Sequence, residues 1–113
     1  MHEISIMQSA LELAEDHARQ AGATTISRIS LRVGIVSGVV PEAMQFAFDV
    51  LRRNTMADSA TLEIEAIPGV FRCSGCGGVF TLQDLRFDCP SCHGLLSMEG
   101  GGADLELAQL ELS

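Results

Sequence analysis

Between Ser5 and Ala21 the apolar residues Met7, Ala10, Leu11, Ala14, Ala18 and Ala21 recur every three or four positions, while Gln8, Glu12, Glu15, Asp16, Arg19 and Gln20 fill the intervening ones. That is the 3.6-residue period of an amphipathic helix. Ser5 and Gln8 stand at capping-box spacing, and Gly22 stands where a left-handed residue ends a helix. The pattern predicts a helix over 5–21 with the first four residues outside it. From Arg28 to Ile35 the period changes to two, so that Ile29, Leu31, Val33 and Ile35 share one side of a half-buried strand.

A loop follows over 36–40, and Pro41 suits the first position of a helix. Met44, Ala47, Phe48 and Leu51 then keep helical spacing, and Phe46 and Val50 broaden the apolar side, which predicts a second helix over 41–53. Leu62-Glu63-Ile64-Glu65-Ala66 alternates again as a strand and is stopped by Pro68-Gly69. After Gly100-Gly101-Gly102, the stretch 104–112 reads as a last strand in which Leu105 and Leu107 are out of phase with Leu110 and Leu112. A bulge near Ala108 and Gln109 reconciles the two phases.

Residues 69–99 break every periodicity. Glycine is dense there, and all four cysteines of the chain fall within it. The fold class expected is therefore α+β: a small mixed three-stranded sheet packed with two helices, plus an inserted zinc-ribbon-like four-cysteine module. Residues 1–68 with 100–113 form the α/β domain, residues 69–99 the module, and Pro68-Gly69 and the triple glycine serve as hinges.

Cys73-Ser74-Gly75-Cys76 and Cys89-Pro90-Ser91-Cys92 are two C-x-x-C pairs twelve residues apart, close to the spacing of a four-thiolate zinc site. Two thiolates two residues apart grip one ion from a single tight turn, with Gly75, Gly77 and Gly94 expected to supply positive backbone dihedrals. Phe71, Phe80 and Phe87 flank the knuckles as the module's apolar packing. A Cys₄ set leaves no open coordination position, so Zn(II) here is structural rather than catalytic, and it supplies most of the module's folding free energy. A rubredoxin-type iron site, a c-type haem attachment at Cys89-Pro90-Ser91-Cys92-His93 and a redox dithiol are weaker alternatives. His93 reads as a surface or hydrogen-bonding neighbour of the site, and His17 as a boundary residue of the first helix.

Composition narrows the class. The chain has 113 residues, 47% of them hydrophobic, which suits one compact unit with a small appendage rather than a multidomain enzyme. Seven Lys and Arg against fifteen Asp and Glu give a formal charge of -8, the wrong sign for a phosphate-backbone binder. Residues 1–20 carry four acidic side chains and no basic start before an apolar run, so no secretory signal is expected. No stretch approaches the ~20 apolar residues that span a bilayer. A cytoplasmic location follows as the expectation, and in that reducing setting cysteines bind metal more readily than they form disulfides. No Ser-His-Asp set, nucleophilic Cys-His pair or phosphate loop is present, so an enzyme is not expected.

The chain opens Met1-His2-Glu3. A histidine in position two chelates through the terminal amine, its own deprotonated amide and its imidazole, an arrangement suited to square-planar Ni(II) or Cu(II). Together, Met1-His2-Glu3, the turn Gly34-Ile35-Val36-Ser37 with Pro41-Glu42-Ala43 and Phe46 after it, and the paired C-x-x-C knuckles resemble the HypA/HybF hydrogenase maturation proteins from end to end.

The resemblance implies a nickel metallochaperone that carries Ni(II) as a transported ion and works with a GTPase partner on the large subunit of NiFe hydrogenase. No nucleic acid or membrane partner is implied, and a homodimer is compatible. By position it implies His2 as principal nickel ligand with the Met1 amine and the His2 amide, Glu3 as a neighbouring ligand or orienting group, and Cys73, Cys76, Cys89 and Cys92 as zinc ligands. Some family members have a nickel-reaching carboxylate where this chain has Val40. Glu42 is the nearest substitute, unless it is simply a solvated first-turn residue. The alternative function is a zinc-ribbon module that contacts protein or nucleic acid.

Overall fold

The structure is a computed structural model that describes residues 2–84, 86, 88–100 and 105–113, with the backbone alone for His2. In chain order the elements are α1 (His2–Gln20), β1 (Ile26–Gly34), α2 (Pro41–Leu51), β2 (Thr61–Ile67), β3 (Gly69–Cys73), β4 (Val79–Leu82), β5 (Leu96–Gly100) and β6 (Leu105–Leu112). They form two three-stranded sheets, ordered β2-β1-β6 and β4-β3-β5. The fold is α+β, as expected from the sequence. No helix among the described residues is long and apolar enough to cross a membrane.

α1 begins three residues earlier than predicted. Ser5 has capping-box spacing but lies inside the helix, because Ile4 extends the stripe that packs on the core and Glu3 places a negative charge in the positively polarised first turn. The C-terminal end is as expected. Gly22 is left-handed (φ 75°), and Ala23 N–H donates to Ala18 O at 2.9 Å across the closing turn. α2 starts at Pro41 as predicted and stops at Leu51 rather than residue 53. There Arg52 turns back: its guanidinium donates to the carbonyls of Asp58 and Ala60 and lies 4.7 Å from the centre of the Phe48 ring. Glu15 ties the same 52–60 loop to α1, its carboxylate accepting from Met56 N–H at 3.1 Å.

In the first sheet β1 is central, parallel to β2 through the α2 crossover and antiparallel to β6. Ile29, Leu31 and Val33 point inward onto Met7, Leu11, Ala14, Met44, Ala47 and Phe48, all buried. Opposite, Arg28 bridges Glu63 and Glu111, and Arg32 bridges Glu65 and Glu106, at 3.0–3.5 Å. β6 carries the expected irregularity. Ser30 pairs with Gln109 but the adjacent Leu31 pairs with Leu107, so Ala108 is the extra residue, and all four leucines of the strand are partly buried against the core.

The second sheet was not foreseen. Antiparallel pairing of β3 with β4 and β5 joins strands of four or five residues, too short to carry a readable alternation. Among the described residues its core holds Phe71, Cys73, Cys89 and Leu96, with Phe80, Leu82, Ile35 and Val36 packed around it. Phe71 and Phe80 thus serve as expected, and Phe87 lies outside the described residues. Gly69 is buried instead of forming an open hinge: a Cβ there would meet the Phe71 ring at 2.9 Å and Val36 at 3.5 Å. Gly100 pairs with Val70 in β5, and residues 101–104 lie outside the described residues. With two cores side by side, the radius of gyration is 17.2 Å, against ~13 Å for one compact domain of this length.

Candidate metal centre

The four cysteine sulfurs lie within 4.8 Å of one another. Cys73 and Cys92 are 3.4 Å apart, and Cys76 and Cys89 are 3.8 Å apart. A tetrahedral ion with metal–sulfur bonds of ~2.3 Å holds its ligands ~3.8 Å apart, so small shifts of the sulfurs bring the donor set to a four-thiolate metal site. Cys73 and Cys89 are buried, while Cys76 and Cys92 are exposed at the rim.

The geometry is built twice. In the first knuckle the Cys73 sulfur accepts from Gly75 N–H (3.2 Å) and Cys76 N–H (3.4 Å). In the second, the Cys89 sulfur accepts from Ser91 N–H (3.3 Å) and Cys92 N–H (3.4 Å). Each turn closes the same way, with Gly77 N–H donating to Cys73 O and His93 N–H donating to Cys89 O, both at 3.0 Å. Each first cysteine then donates its own N–H to the carbonyl five residues on, Gly78 or Gly94.

Of the three glycines expected to supply left-handed backbone, only Gly77 does (φ 72°). His93 takes the matching place in the second knuckle (φ 63°). Gly94 is required for a different reason, since a Cβ would sit 3.0 Å from the Cys73 sulfur and 3.2 Å from that of Cys92. His93 itself is exposed, its Nδ1 3.7 Å from an Asp88 carboxylate oxygen, and Arg86 also binds Asp88.

Electrostatics separate Cys73 from Cys92. The Cys76 amide above all, with the Cys92 and Cys76 side chains and the Gly75 amide, pulls the Cys73 thiol down to about 6 against the cost of burial. For Cys92 the Gly94 amide favours the thiolate, but the neighbouring Cys73, Cys89 and Cys76 sulfurs and burial together push it up to about 11. The neighbouring sulfurs thus oppose ionisation of Cys92, and a divalent ion would supply the charge that lets it ligate as a thiolate.

Of the N-terminal tripeptide, Met1 and the His2 side chain lie outside the described residues. The Glu3 carboxylate accepts from Val40 N–H at 3.4 Å, which ties the first turn of α1 to the N-cap residue of α2. Val40 therefore meets Glu3 through its backbone, a contact that sequence pattern alone has no way to signal. Glu42 is exposed in the first turn of α2, and His17 is exposed near the end of α1.

Comparison with known proteins agrees with this architecture. The sequence model of a family described as "Hydrogenase/urease nickel incorporation, metallochaperone, hypA" matches residues 1–112. The chain is 39% identical to the hydrogenase maturation factor HypA of a Picosynechococcus species, over 99% of both chains. It is 42% identical to the factor of the same name from a Roseiflexus species, over 98% of this chain and 91% of the other. In three dimensions it is similar to the solution structure of the Ni metallochaperone HypA from Helicobacter pylori, with a TM-score of 0.66 and 26% identity over 97% of this chain and 96% of that one.

Proposed function

Because the chain belongs to the HypA family of nickel-incorporation metallochaperones, which serve hydrogenase maturation and are not enzymes, we propose that it binds Ni(II) at its N-terminal segment. It then passes the ion, with a GTPase partner, to the large subunit of NiFe hydrogenase. Residues 1–68 and 100–113 carry the nickel function, and residues 69–99 hold Zn(II) through Cys73, Cys76, Cys89 and Cys92 as a permanent structural ion. In this reading the protein works in the cytoplasm.

The observation that carries the nickel assignment is where α1 begins. The first amides of a helix have no intrahelical acceptor, so a helix starting at His2 leaves the His2 amide free to deprotonate and bind metal. In this reading the Met1 amine, the His2 amide and the His2 imidazole form the chelate. Such a site is easily loaded and easily surrendered. Glu3, its carboxylate engaged by Val40 N–H, is an orienting group that holds this turn in place.

Each nickel ligand must lose or lack a proton. An amine of pKa ~7.7–8.0 and an imidazole near ~6.5 therefore release the ion as pH falls. The nucleic-acid reading finds no support, since the two arginines of the cysteine module are neutralised by Glu99 and Asp88.

The loop between β1 and α2 touches both metal regions. Ile35 and Val36 pack on the cysteine core and Val40 binds Glu3, so zinc loading and nickel binding are linked in this reading. Nickel titration by calorimetry of the untagged, zinc-loaded protein tests the site directly. One equivalent of tight binding is expected, lost in His2→Ala and in a form extended at the N-terminus, with zinc content unchanged in both. Retained one-to-one affinity in both variants rejects the N-terminal site. Equal nickel affinity with and without zinc rejects the linkage.

A further inference from the structure

Between β1 and α2 the chain passes from one core to the other, with Ile35 and Val36 packed on the cysteine core and Val39 on the first. One hydroxyl shapes that passage. Ser37 Oγ donates to Gly34 O at 2.7 Å and accepts from Val39 N–H at 3.2 Å, and Ser37 N–H donates to the same Gly34 carbonyl at 3.1 Å. Gly38 lies inside this clasp and takes a left-handed backbone (φ 81°). Ser37 is half-buried, so water competes poorly for its hydroxyl.

The clasp ends one residue before Val40, which has no polar side chain with which to fix its own backbone at the N-cap of α2. Val40 O accepts from Met44 N–H at 3.0 Å, and Val40 N–H donates to the Glu3 carboxylate at 3.4 Å. The direction of the Val40 N–H is thus set from one side by the Ser37 clasp on Val39 and from the other by the first turn of α2. At 3.4 Å its bond to Glu3 is long, so a small shift of the turn breaks it.

We propose that Ser37 is a positioning residue for nickel: its hydroxyl holds the turn whose last amide, that of Val40, fastens Glu3 and with it the first turn of α1. This rests on the assignment of nickel to the N-terminal segment. A chain end frays unless it is tied down, and a chelate whose turn is already in place loses less freedom when the ion binds. Ser37 itself touches no metal. Groups that bond directly to metal ligands typically cost about 10–100-fold in affinity when removed, and Ser37 acts at one further remove, so a smaller loss is expected.

Calorimetric nickel titration of the untagged, zinc-loaded full chain tests this with Ser37→Ala, Ser37→Thr, Glu3→Ala, His2→Ala and the double variant Ser37→Ala with Glu3→Ala. Ser37→Ala is expected to bind nickel about three- to tenfold more weakly, and Ser37→Thr, which keeps the hydroxyl, to bind as the unmodified chain does. Because Ser37 acts through Glu3, its removal in the Glu3→Ala background is expected to add less than about twofold. Amide exchange of the nickel-free protein gives a second readout: Val40 N–H is expected to exchange about tenfold faster in Ser37→Ala, while Ile29 and Leu31 in β1 keep their protection. Unchanged nickel affinity in Ser37→Ala, an equal loss in the Glu3→Ala background, Ser37→Thr as weak as Ser37→Ala, or unchanged Val40 exchange each overturns the role of Ser37. Loss of β1 protection in Ser37→Ala assigns the hydroxyl to the fold instead of to nickel and overturns it too. Retained binding in His2→Ala overturns the N-terminal chelate and this inference with it, whereas binding lost in His2→Ala and normal in Ser37→Ala overturns the role of Ser37 alone.

Discussion

The two sheets of this protein are the same size in strands and are held together by different forces. Behind β2-β1-β6 stand two helices and a continuous core of fifteen buried residues, from Met7 to Leu62. Behind β4-β3-β5 there is no helix among the described residues, and two of the four buried core residues described there are cysteines. The first sheet is closed by apolar burial, at roughly 25 cal/mol per Å² removed from water. The residues described in the second bury too little apolar surface to offset the entropy of ordering it, so in the proposed reading it depends on ligation. In the proposed reading one metal is cargo and the other structural, and there is reason to separate the two: the structural ion would sit where folding depends on it, and the transfer site on a helix terminus where little does.

The largest effect expected comes from breaking the ligation. In zinc-finger peptides, structural Zn(II) binding is worth roughly 10–16 kcal/mol near neutral pH, more than the whole stability of most domains. Cys89→Ser, or exhaustive chelation, is expected to abolish amide-exchange protection throughout β3, β4 and β5 while protection in α1 and β1 persists. Exchange measured by mass spectrometry with and without metal reads both regions at once. Simultaneous loss in both sheets breaks the contrast.

A smaller effect, confined to the other side, is expected from Phe48→Ala. Phe48 is fully buried at the centre of the first core and also carries the Arg52 contact that closes the 52–60 loop. Removing a buried ring typically costs 3–5 kcal/mol. The denaturant midpoint of the first sheet should fall accordingly, while the purified protein keeps its zinc stoichiometry. Loss of zinc together with the midpoint shows the two cores to be one cooperative unit.

The same contrast explains what the sequence made legible. Where burial drives folding, periodicity is written into the chain. The stripe of α1, the inward side of β1, Pro41 at the head of α2 and even the misphased leucines of β6, resolved by Ala108, are all readable because one face must be apolar. Where a metal drives folding, what is written is the ligand spacing. Cys73, Cys76, Cys89 and Cys92 are plain, but the short strands between them are not, and neither is the left-handed backbone at His93, which holds the place that Gly77 holds in the first knuckle. Long-range polar ties also leave no local signal. Val40 N–H to Glu3 spans 37 positions and the Met56 N–H to Glu15 bond spans 41.

The smallest effect expected concerns whether a surface ion pair makes up for the missing apolar core. Arg72 on β3 donates from Nε and Nη2 to the two Glu99 oxygens on β5, both at 3.0 Å, the bidentate geometry in which such pairs are strongest. The Arg72 guanidinium, by hydrogen bonding and then by charge, holds the Glu99 carboxyl below its ordinary value, while both groups remain solvated. A carboxyl whose folded value is depressed stabilises the fold above its unfolded value of ~4.3 and loses that contribution as pH falls through the folded value. The unmodified protein should therefore be slightly more stable than Glu99→Gln at neutral pH, with the difference closing below pH ~4 and shrinking in salt. Water screens exposed pairs too well for more. Denaturation midpoints of zinc-loaded protein, from neutral pH down to the pH at which zinc is released and with and without added salt, measure the gap. A gap as large as that of Phe48→Ala contradicts the assignment of the second sheet's stability to its metal, because a solvated pair would then match the loss of a buried ring.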